Sequence, residues 1–91
     1  MHYELTIKNH EFVPKQISAP AGYIIKIKVN NLDETVEEFE SIDLKREKIV
    51  PAGGSIIVVL APLKPGSYKF YGEFHEKTAQ GLLIITKNKN A

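Results

Sequence analysis

The sequence contains no cysteine and no tryptophan, and its only methionine is Met1. Without cysteine the chain forms no disulfides, and this absence fits a reducing and an oxidising compartment equally well. The formal charge is only +1, from 12 basic and 11 acidic residues. Such a balance excludes broad attraction to nucleic acid or to an anionic membrane surface. The short basic stretch at positions 87–90 is therefore expected to be a solvated end.

Long apolar runs and enzyme motifs are also missing. No apolar run approaches the roughly 20 residues that a membrane-spanning helix needs, and the first residues lack the apolar core of a signal peptide. The chain has no G-x-S-x-G, H-E-x-x-H or P-loop motif, so the common hydrolase, zinc-protease and nucleotide-binding classes have no support. We expect neither membrane insertion nor nucleic-acid binding.

What the chain does contain is a series of short alternating segments. Apolar residues recur at every second position in residues 3–7 and 25–29, which predicts half-buried strands. Clusters of Asn, Asp, Pro and Gly separate such segments every eight to twelve residues. A chain of 91 residues makes one domain with a modest core. The pattern predicts a single all-β domain over residues 1–91, a Greek-key β-sandwich of seven to eight strands.

Three segments carry more detailed predictions. Ser55–Leu60 is a continuous apolar run and is interpreted as a central strand, and Leu82–Ile85 as a fully buried one. The charged segment 43–48 is predicted to be irregular or extended. A further strand begins after the Pro65-Gly66 turn, and the residues predicted to face inward along it are Tyr68, Phe70, Gly72 and Phe74.

The stretch P-G-S-Y-K-F-Y-G-E-F-H, followed by G-L-L-I, resembles the closing segment of the cupredoxin-like domains, in particular the EfeO-type branch linked to bacterial iron uptake. A second match is F-V-P-K-Q-I-S-A-P-A-G near the start of the chain. The resemblance implies a cupredoxin-like sandwich. In blue-copper members the closing loop follows C-x-x-H-x-x-x-x-M, which would place cysteine at Gly72, histidine at His75 and methionine at Gln80. Since only His75 is present, the sequence excludes a type 1 blue-copper electron carrier.

The second informative stretch is E-T-V-E-E-F-E-S-I-D-L-K-R-E-K-I-V, residues 34–50. In a strand, Glu38 and Glu40 point to the same side. Two carboxylates at this spacing repel each other and cost stability unless they are solvated or paired. The basic residues that could neutralise them are Lys45, Arg46 and Lys48.

The resemblance implies a different role for these carboxylates. EfeO-type domains have an acidic pair where blue-copper relatives have their first histidine, at the end of the sandwich that also carries the closing loop. The implied metal ligands are Glu38, Glu40, Glu47 and His75. Glu37 and Glu73 are held in reserve, because a register shift of one residue exchanges the two faces of a strand.

A site of carboxylates and one imidazole would accept a divalent metal, with Cu(II) favoured by intrinsic affinity and iron or zinc as the alternatives. His2, near the chain terminus, and His10, at the start of the sheet, are not expected to be ligands. The resemblance implies a soluble, exported and periplasmic accessory protein in iron or copper handling, whose signal peptide is not part of this sequence. Its partners would be a membrane iron permease or a periplasmic iron-binding protein. Two alternatives stay open, namely a metal-free interaction module and a small ferroxidase-type redox protein.

Overall fold

Residues 1–88, the part of the chain that the computed structural model describes, form nine strands in two packed sheets. The strands are β1 (His2–Lys8), β2 (Glu11–Val13), β3 (Gln16–Pro20), β4 (Ile25–Asn31), β5 (Glu37–Ser41), β6 (Arg46–Val50), β7 (Ser55–Leu60), β8 (Gly66–Gly72) and β9 (Gln80–Thr86). One sheet has the order β2-β1-β4-β7 and the other β3-β9-β8-β5-β6. The prediction of an all-β sandwich is confirmed. Positions 89 and 90 of the predicted solvated end lie outside the described residues.

The structure has nine strands, one more than the predicted seven to eight, because the chain changes sheets near Pro14 and so divides into β2 and β3. β2 pairs with β1, whereas β3 pairs in parallel with β9 of the other sheet. Proline has no backbone N–H to donate, so it suits the break between two strands or the edge of a sheet. Pro14 lies at such a break, and Pro20 ends β3, which is an edge strand.

The core between the sheets is built on alternating apolar residues and a trio of phenylalanines. Leu5 and Ile7 of β1 are fully buried, as the alternation predicts. Phe12, Phe39 and Phe70 meet at the centre, with ring centroids 5.1–6.2 Å apart. Such aromatic contacts fix the position of β5, which carries Glu37, Glu38 and Glu40, relative to β8, which leads into the segment that carries His75.

The prediction that Ser55–Leu60 is a central strand is wrong, because β7 lies at the edge of the four-stranded sheet. The carbonyl groups of Ile57 and Val59 are not paired with another strand on that side. They accept hydrogen bonds from Lys48 Nζ at 2.8 Å and from Arg46 Nη2 at 3.1 Å, both from β6. Charged side chains that cover an edge in this way protect it from pairing with another chain.

Beyond Gly72 the chain leaves the strand and forms a short 3-10 helix, Glu73–His75. Phe74 is consequently half exposed, so the prediction that it faces inward is wrong. β9 is not fully buried either, because Leu82 and Ile84 are only partly covered. In the segment 43–48, which was predicted to be irregular or extended, residues 43–45 form a turn and residues 46–48 belong to β6. Within residues 1–88, no helix is both long enough and apolar enough to cross a membrane.

Candidate metal centre

Three glutamates meet on the outer face of the five-stranded sheet. β5 buries Glu37, Phe39 and Ser41 and directs Glu38 and Glu40 outward, as the period of two predicts. Glu40 is paired in register with Glu47 of β6. One carboxylate oxygen from each of Glu38, Glu40 and Glu47 lies within 4.8 Å of the other two. We refer to these three residues as the glutamate cluster.

The close approach of the carboxylates changes their proton affinity. The pKa of Glu38 is raised to about 7 by partial burial, by the charge of Glu47, and by a hydrogen bond with Glu40. The pKa of Glu73 is also raised, first by burial and then by the charges of Glu76 and Glu40. Crowded carboxylates therefore hold a proton near neutral pH, and a bound cation would relieve the same repulsion.

The two basic residues of β6 do not neutralise the glutamate cluster. Arg46 and Lys48 donate to carbonyl groups of β7 instead. In the described part of the chain, the ion pairs join His10 to Asp33, Lys15 to Glu11 and His75 to Glu37, and none of them includes a cluster residue. The cluster thus has no cationic partner among residues 1–88.

His75 lies on the other side of β5 and contacts Glu37. Its Nδ1 is 2.6 Å from Glu37 Oε2, and the Glu37 side chain is only 2% exposed. Glu37 Oε1 accepts hydrogen bonds from the backbone N–H groups of Glu38 and Phe74, each at 2.9 Å. The structure thus brings together three of the four predicted ligands and pairs the fourth with a reserve residue.

The surroundings of Gly72 show whether a cysteine, the thiolate ligand of a type 1 copper site, would fit at this position. A Cβ atom at position 72 would lie 2.6 Å from Glu37 Cδ and 2.8 Å from Glu37 Oε2. The Glu37 carboxylate therefore fills the space that a cysteine side chain would need. At the position of the axial methionine, the Gln80 amide donates to the Glu76 carbonyl at 2.9 Å. A type 1 copper centre does not fit these residues.

His10, which the sequence placed apart from the site, is stacked on His75. The ring centroids are 3.7 Å apart and the planes differ by 14°. Asn9 and His10 both have positive φ, 53° and 59°, a conformation that Asn and His adopt more readily than most residues. Asp33 holds this turn by accepting both backbone N–H groups, at 2.8 and 2.9 Å, and its Oδ2 is 3.4 Å from His10 Nδ1.

The electrostatics of Asp33 agree with this role. Burial alone would raise its pKa, but the backbone hydrogen bonds from His10 and Asn9, together with the charges of His10 and His75, lower it below the usual value. The link between this turn and Asp33 was not predicted from the sequence, because Asn9 and His10 are 24 and 23 positions away from Asp33 and only the packed sheets bring the two loops together.

A buried asparagine fixes the loop that carries Asp33. Asn31 is 1% exposed, and its Nδ2 donates to the carbonyls of Thr35 at 2.9 Å and Val50 at 3.2 Å. Its Oδ1 accepts the Asp33 N–H at 3.0 Å. All of its polar atoms are satisfied, as burial requires. Asn31 is the last residue of β4, and its role in holding this loop was not predicted from the sequence.

Comparison with known proteins gives matches to both sequence and structure. A family model described as "Cupredoxin-like domain" matches residues 1–85. An uncharacterized protein of Rickettsia prowazekii (strain Madrid E) is 49% identical over 85 residues, which cover 93% of this chain and 68% of that protein.

Two solved structures illustrate the similarity of fold. Auracyanin A, a "blue" copper protein from Chloroflexus aurantiacus, has a TM-score of 0.81 at 12% identity and covers 94% of this chain and 98% of its own. The metal-binding domain of the Cu(I)-exporting P-type ATPase of Streptococcus pneumoniae has a TM-score of 0.79 at 11% identity, with coverage of 93% and 84%. At these identities the likeness concerns the fold, and it confirms the predicted cupredoxin-like sandwich.

Proposed function

Because the chain belongs to the family of cupredoxin-like domains, we propose that it is an exported, periplasmic accessory protein in iron or copper handling. In this proposal it binds a divalent metal through Glu38, Glu40 and Glu47. The observation that carries the proposal is the glutamate cluster, whose oxygens converge within 4.8 Å. The cluster has no cationic partner among the described residues, so a metal ion would supply the missing positive charge.

The three ligands of this site are all hard oxygen donors, whereas the set predicted from the sequence also included the imidazole of His75. Three carboxylates without an imidazole suit hard ions, while Cu(II) keeps the highest intrinsic affinity of the divalent first-row metals. We therefore propose Cu(II) or iron as the metal, with zinc as the alternative. Glu73 lies close enough for the charges of Glu40 and Glu47 to raise its pKa, so it is a candidate for a fourth oxygen ligand.

The proposed role is metal transfer rather than electron transfer. The chain has no cysteine, and a blue-copper centre depends on a thiolate. One structural neighbour is the metal-binding domain of a Cu(I)-exporting ATPase, which supports a role in metal transport for this fold. Within the proposal, the domain belongs to the EfeO-type branch and passes its ion to a membrane iron permease or a periplasmic iron-binding protein.

Calorimetric titration with Mn(II) and Cu(II) tests this function. Mn(II) prefers oxygen donors and so reports on the cluster with little contribution from imidazoles. We expect Glu38→Gln and Glu47→Gln each to weaken Mn(II) binding about tenfold, or about 1.4 kcal/mol. Glu4→Gln, an exposed glutamate of β1, is the matched control and should bind like the wild type. If neither Mn(II) nor Cu(II) binds saturably, the proposal is overturned. That result would favour a metal-free interaction module, for which the acidic face would be the contact surface.

A further inference from the structure

The outer face of the four-stranded sheet is basic and partly apolar. Its strands β1, β4 and β7 alternate between buried and exposed residues along most of their length. Lys26 and Lys28 of β4 point outward, as do Ile57 and Val59 of β7. We refer to these four residues as the lysine face. Glu4, which is paired in register with Lys28, is the only carboxylate in the three strands.

Positive and negative charge lie on opposite faces of the sandwich, although the formal net charge is only +1. The glutamate cluster lies on the outer face of the other sheet. Arg46 and Lys48 add positive charge at the edge of the lysine face, where they donate to carbonyl groups of β7. Among residues 1–88, no ion pair includes a cluster residue, Lys26 or Lys28. Neither surface therefore finds its opposite charge within one molecule.

We propose that the lysine face is a docking surface for the glutamate cluster of a second copy of this chain. Such a contact is heterologous, because each copy contributes a different face. Every pair leaves one lysine face and one glutamate cluster unused, so the association continues into rings or open chains of copies. This contact goes beyond the proposed function and does not require a bound metal.

The charged residues of the two surfaces are spaced alike. Lys26 and Lys28 are two positions apart on β4, as Glu38 and Glu40 are on β5. On any strand this interval spans about 7 Å. Two lysines of one copy can therefore meet two glutamates of the other without a change in either strand. Complementary charge at matched positions is what fixes the register of a polar interface.

Apolar side chains lie beside both charged pairs. Ile57 and Val59 are paired in register with the two lysines, and Ile49 of β6 is paired with Glu38. The exposed fractions are 49% for Ile49, 44% for Ile57 and 48% for Val59. Face-to-face packing of the two sheets would bury part of this apolar surface next to the ion pairs. The contact thus gains a hydrophobic contribution that isolated surface charges lack.

The size of the surface sets the strength of the contact. A face of four strands measures roughly 15 by 20 Å, which is smaller than a standard protein interface. Exposed ion pairs are individually weak and are screened by salt. The association is therefore transient and needs a high protein concentration. Because docking covers the cluster, a bound metal ion would compete with it, and this consequence alone rests on the proposed function.

Two complementary variants test the proposal, with a chelator present throughout. Lys26→Glu with Lys28→Glu removes the lysine face and keeps the cluster, whereas Glu38→Gln with Glu40→Gln does the reverse. At about 10 mM salt, where the Debye length is about 30 Å, the sedimentation coefficient of the wild type should rise with protein concentration. The rise should largely disappear at about 0.15 M salt, where that length is about 8 Å. Each double variant alone should self-associate at least about tenfold more weakly.

A mixture of the two double variants should form a complex, because one supplies an intact cluster and the other an intact lysine face. NMR with one partner ¹⁵N-labelled at a time locates the contact. The lysine-face variant should show shifts in β5 and β6, and the cluster variant in β4 and β7. Lys64→Glu with Lys87→Glu, both exposed and outside the strands, makes the same change in net charge and should associate like the wild type.

Several results would overturn the docking surface. These are a wild-type sedimentation coefficient that does not change with concentration at low salt, no complex in the mixture, or shifts on the same face of both labelled variants. Equal loss in the Lys64 and Lys87 control would also overturn it, because net charge would then be the cause. Binding to phosphatidylglycerol vesicles without self-association would assign the lysine face to a membrane surface instead. None of these results alters the Mn(II) titration, so failure of this contact is distinguishable from failure of the metal site.

Discussion

Glu37 fills the space beside Gly72 and accepts a hydrogen bond from His75, with Oε2 2.6 Å from Nδ1. The same carboxylate accepts the N–H groups of Glu38 and Phe74. A side chain on β5 thus ties β5 to the 3-10 helix after β8, in the region where blue-copper relatives have their thiolate. A cysteine side chain at position 72 and this buried carboxylate would therefore compete for the same space.

Restoring the cysteine alone will not restore a blue-copper centre. In Gly72→Cys the new Cβ would lie 2.6 Å from Glu37 Cδ and 2.8 Å from Ala79 Cβ, and neither neighbour can move far in a packed core. We expect a loss of about 1–3 kcal/mol in the free energy of unfolding from overpacking, measured by urea denaturation. Copper addition should give no intense blue absorbance. A stable, blue Gly72→Cys protein would contradict this account of the Glu37 carboxylate.

The Glu37 carboxylate sets the tautomer of His75. In Glu37→Gln, the amide oxygen can still accept the N–H groups of Glu38 and Phe74, which leaves the amide NH₂ facing Nδ1. We expect His75 to change to the form with hydrogen on Nε2, because Nδ1 must then accept. Long-range ¹H–¹⁵N NMR reports the tautomer directly. An unchanged tautomer would show that Glu37 does not control this ring.

Glu38 makes metal binding at the cluster depend on pH. Its pKa of about 7 means that a proton competes with the ion below neutrality. If binding displaces this one proton, affinity at pH 6 should be about tenfold lower than at pH 8. Mn(II) titration at the two pH values measures this ratio, and Glu38→Gln should abolish most of the dependence. A ratio near one in the wild type would contradict the assignment.

The same shift affects stability without metal. A carboxyl group whose folded pKa lies above its usual value of 4.5 favours the folded state only when it is protonated. Its contribution is therefore greatest below pH 4.5 and is lost as the pH rises through about 7. Urea unfolding at pH 5 and pH 8 should show a smaller difference for Glu38→Gln than for the wild type.

The pKa shift of Asp33 has the opposite direction, so its contribution to stability changes with pH in the opposite sense. Its folded pKa lies below the usual value of 3.8, so it stabilises the fold above that pH and the contribution is lost as the pH falls through the folded pKa. Asp33→Asn leaves one of the two backbone N–H groups without an acceptor and should cost about 1–3 kcal/mol at pH 7. The difference from the wild type should shrink toward pH 3, as denaturant melts at the two pH values would show. A deficit that is constant with pH would exclude this role.

The two faces of β5 could be predicted from the sequence, but the partners of each face could not. Alternation alone directs Glu38 and Glu40 outward and Glu37 inward. The position of Glu47 opposite Glu40 depends on the turn before β6, where Lys45 has φ of 56°. The alternation of apolar and polar residues along the strands does not determine the geometry of such a turn. The 3-10 helix after Gly72 ends the alternation, so His75 lies with Glu37 rather than with the cluster.

The contact between His10 and His75 could not be predicted from the sequence, for a different reason. His10 and His75 are remote in the chain, and their contact depends on two loops that the sandwich brings to one end. Asp33 and the buried Asn31 hold one of these loops, through hydrogen bonds to backbone groups. Backbone groups are present at every position, so such bonds leave no distinctive pattern of residue types.

The packing of Phe70 over Gly81 gives a test of the β8–β9 register, in which these two residues are paired. Phe70 is 1% exposed and contacts both Phe12 and Phe39. Phe70→Ala should cost about 3–5 kcal/mol in the free energy of unfolding. Gly81→Ala should also destabilise, by about 1–3 kcal/mol, because its Cβ would contact the Phe70 ring atoms Cε1 and Cζ.

Combining substitutions at positions 70 and 81 shows whether the contact with the Phe70 ring causes the destabilisation by Gly81→Ala. Outside a positive φ, alanine is ordinarily better than glycine by about 0.4–1 kcal/mol, since it restricts the unfolded chain. In a Phe70→Leu background the ring atoms are gone, so Gly81→Ala should become neutral or stabilising. Urea denaturation of the four proteins gives the coupling energy directly. If Gly81→Ala destabilises equally in both backgrounds, the Phe70 ring does not lie over Gly81, and the register that directs Phe70 into the core would have to be abandoned.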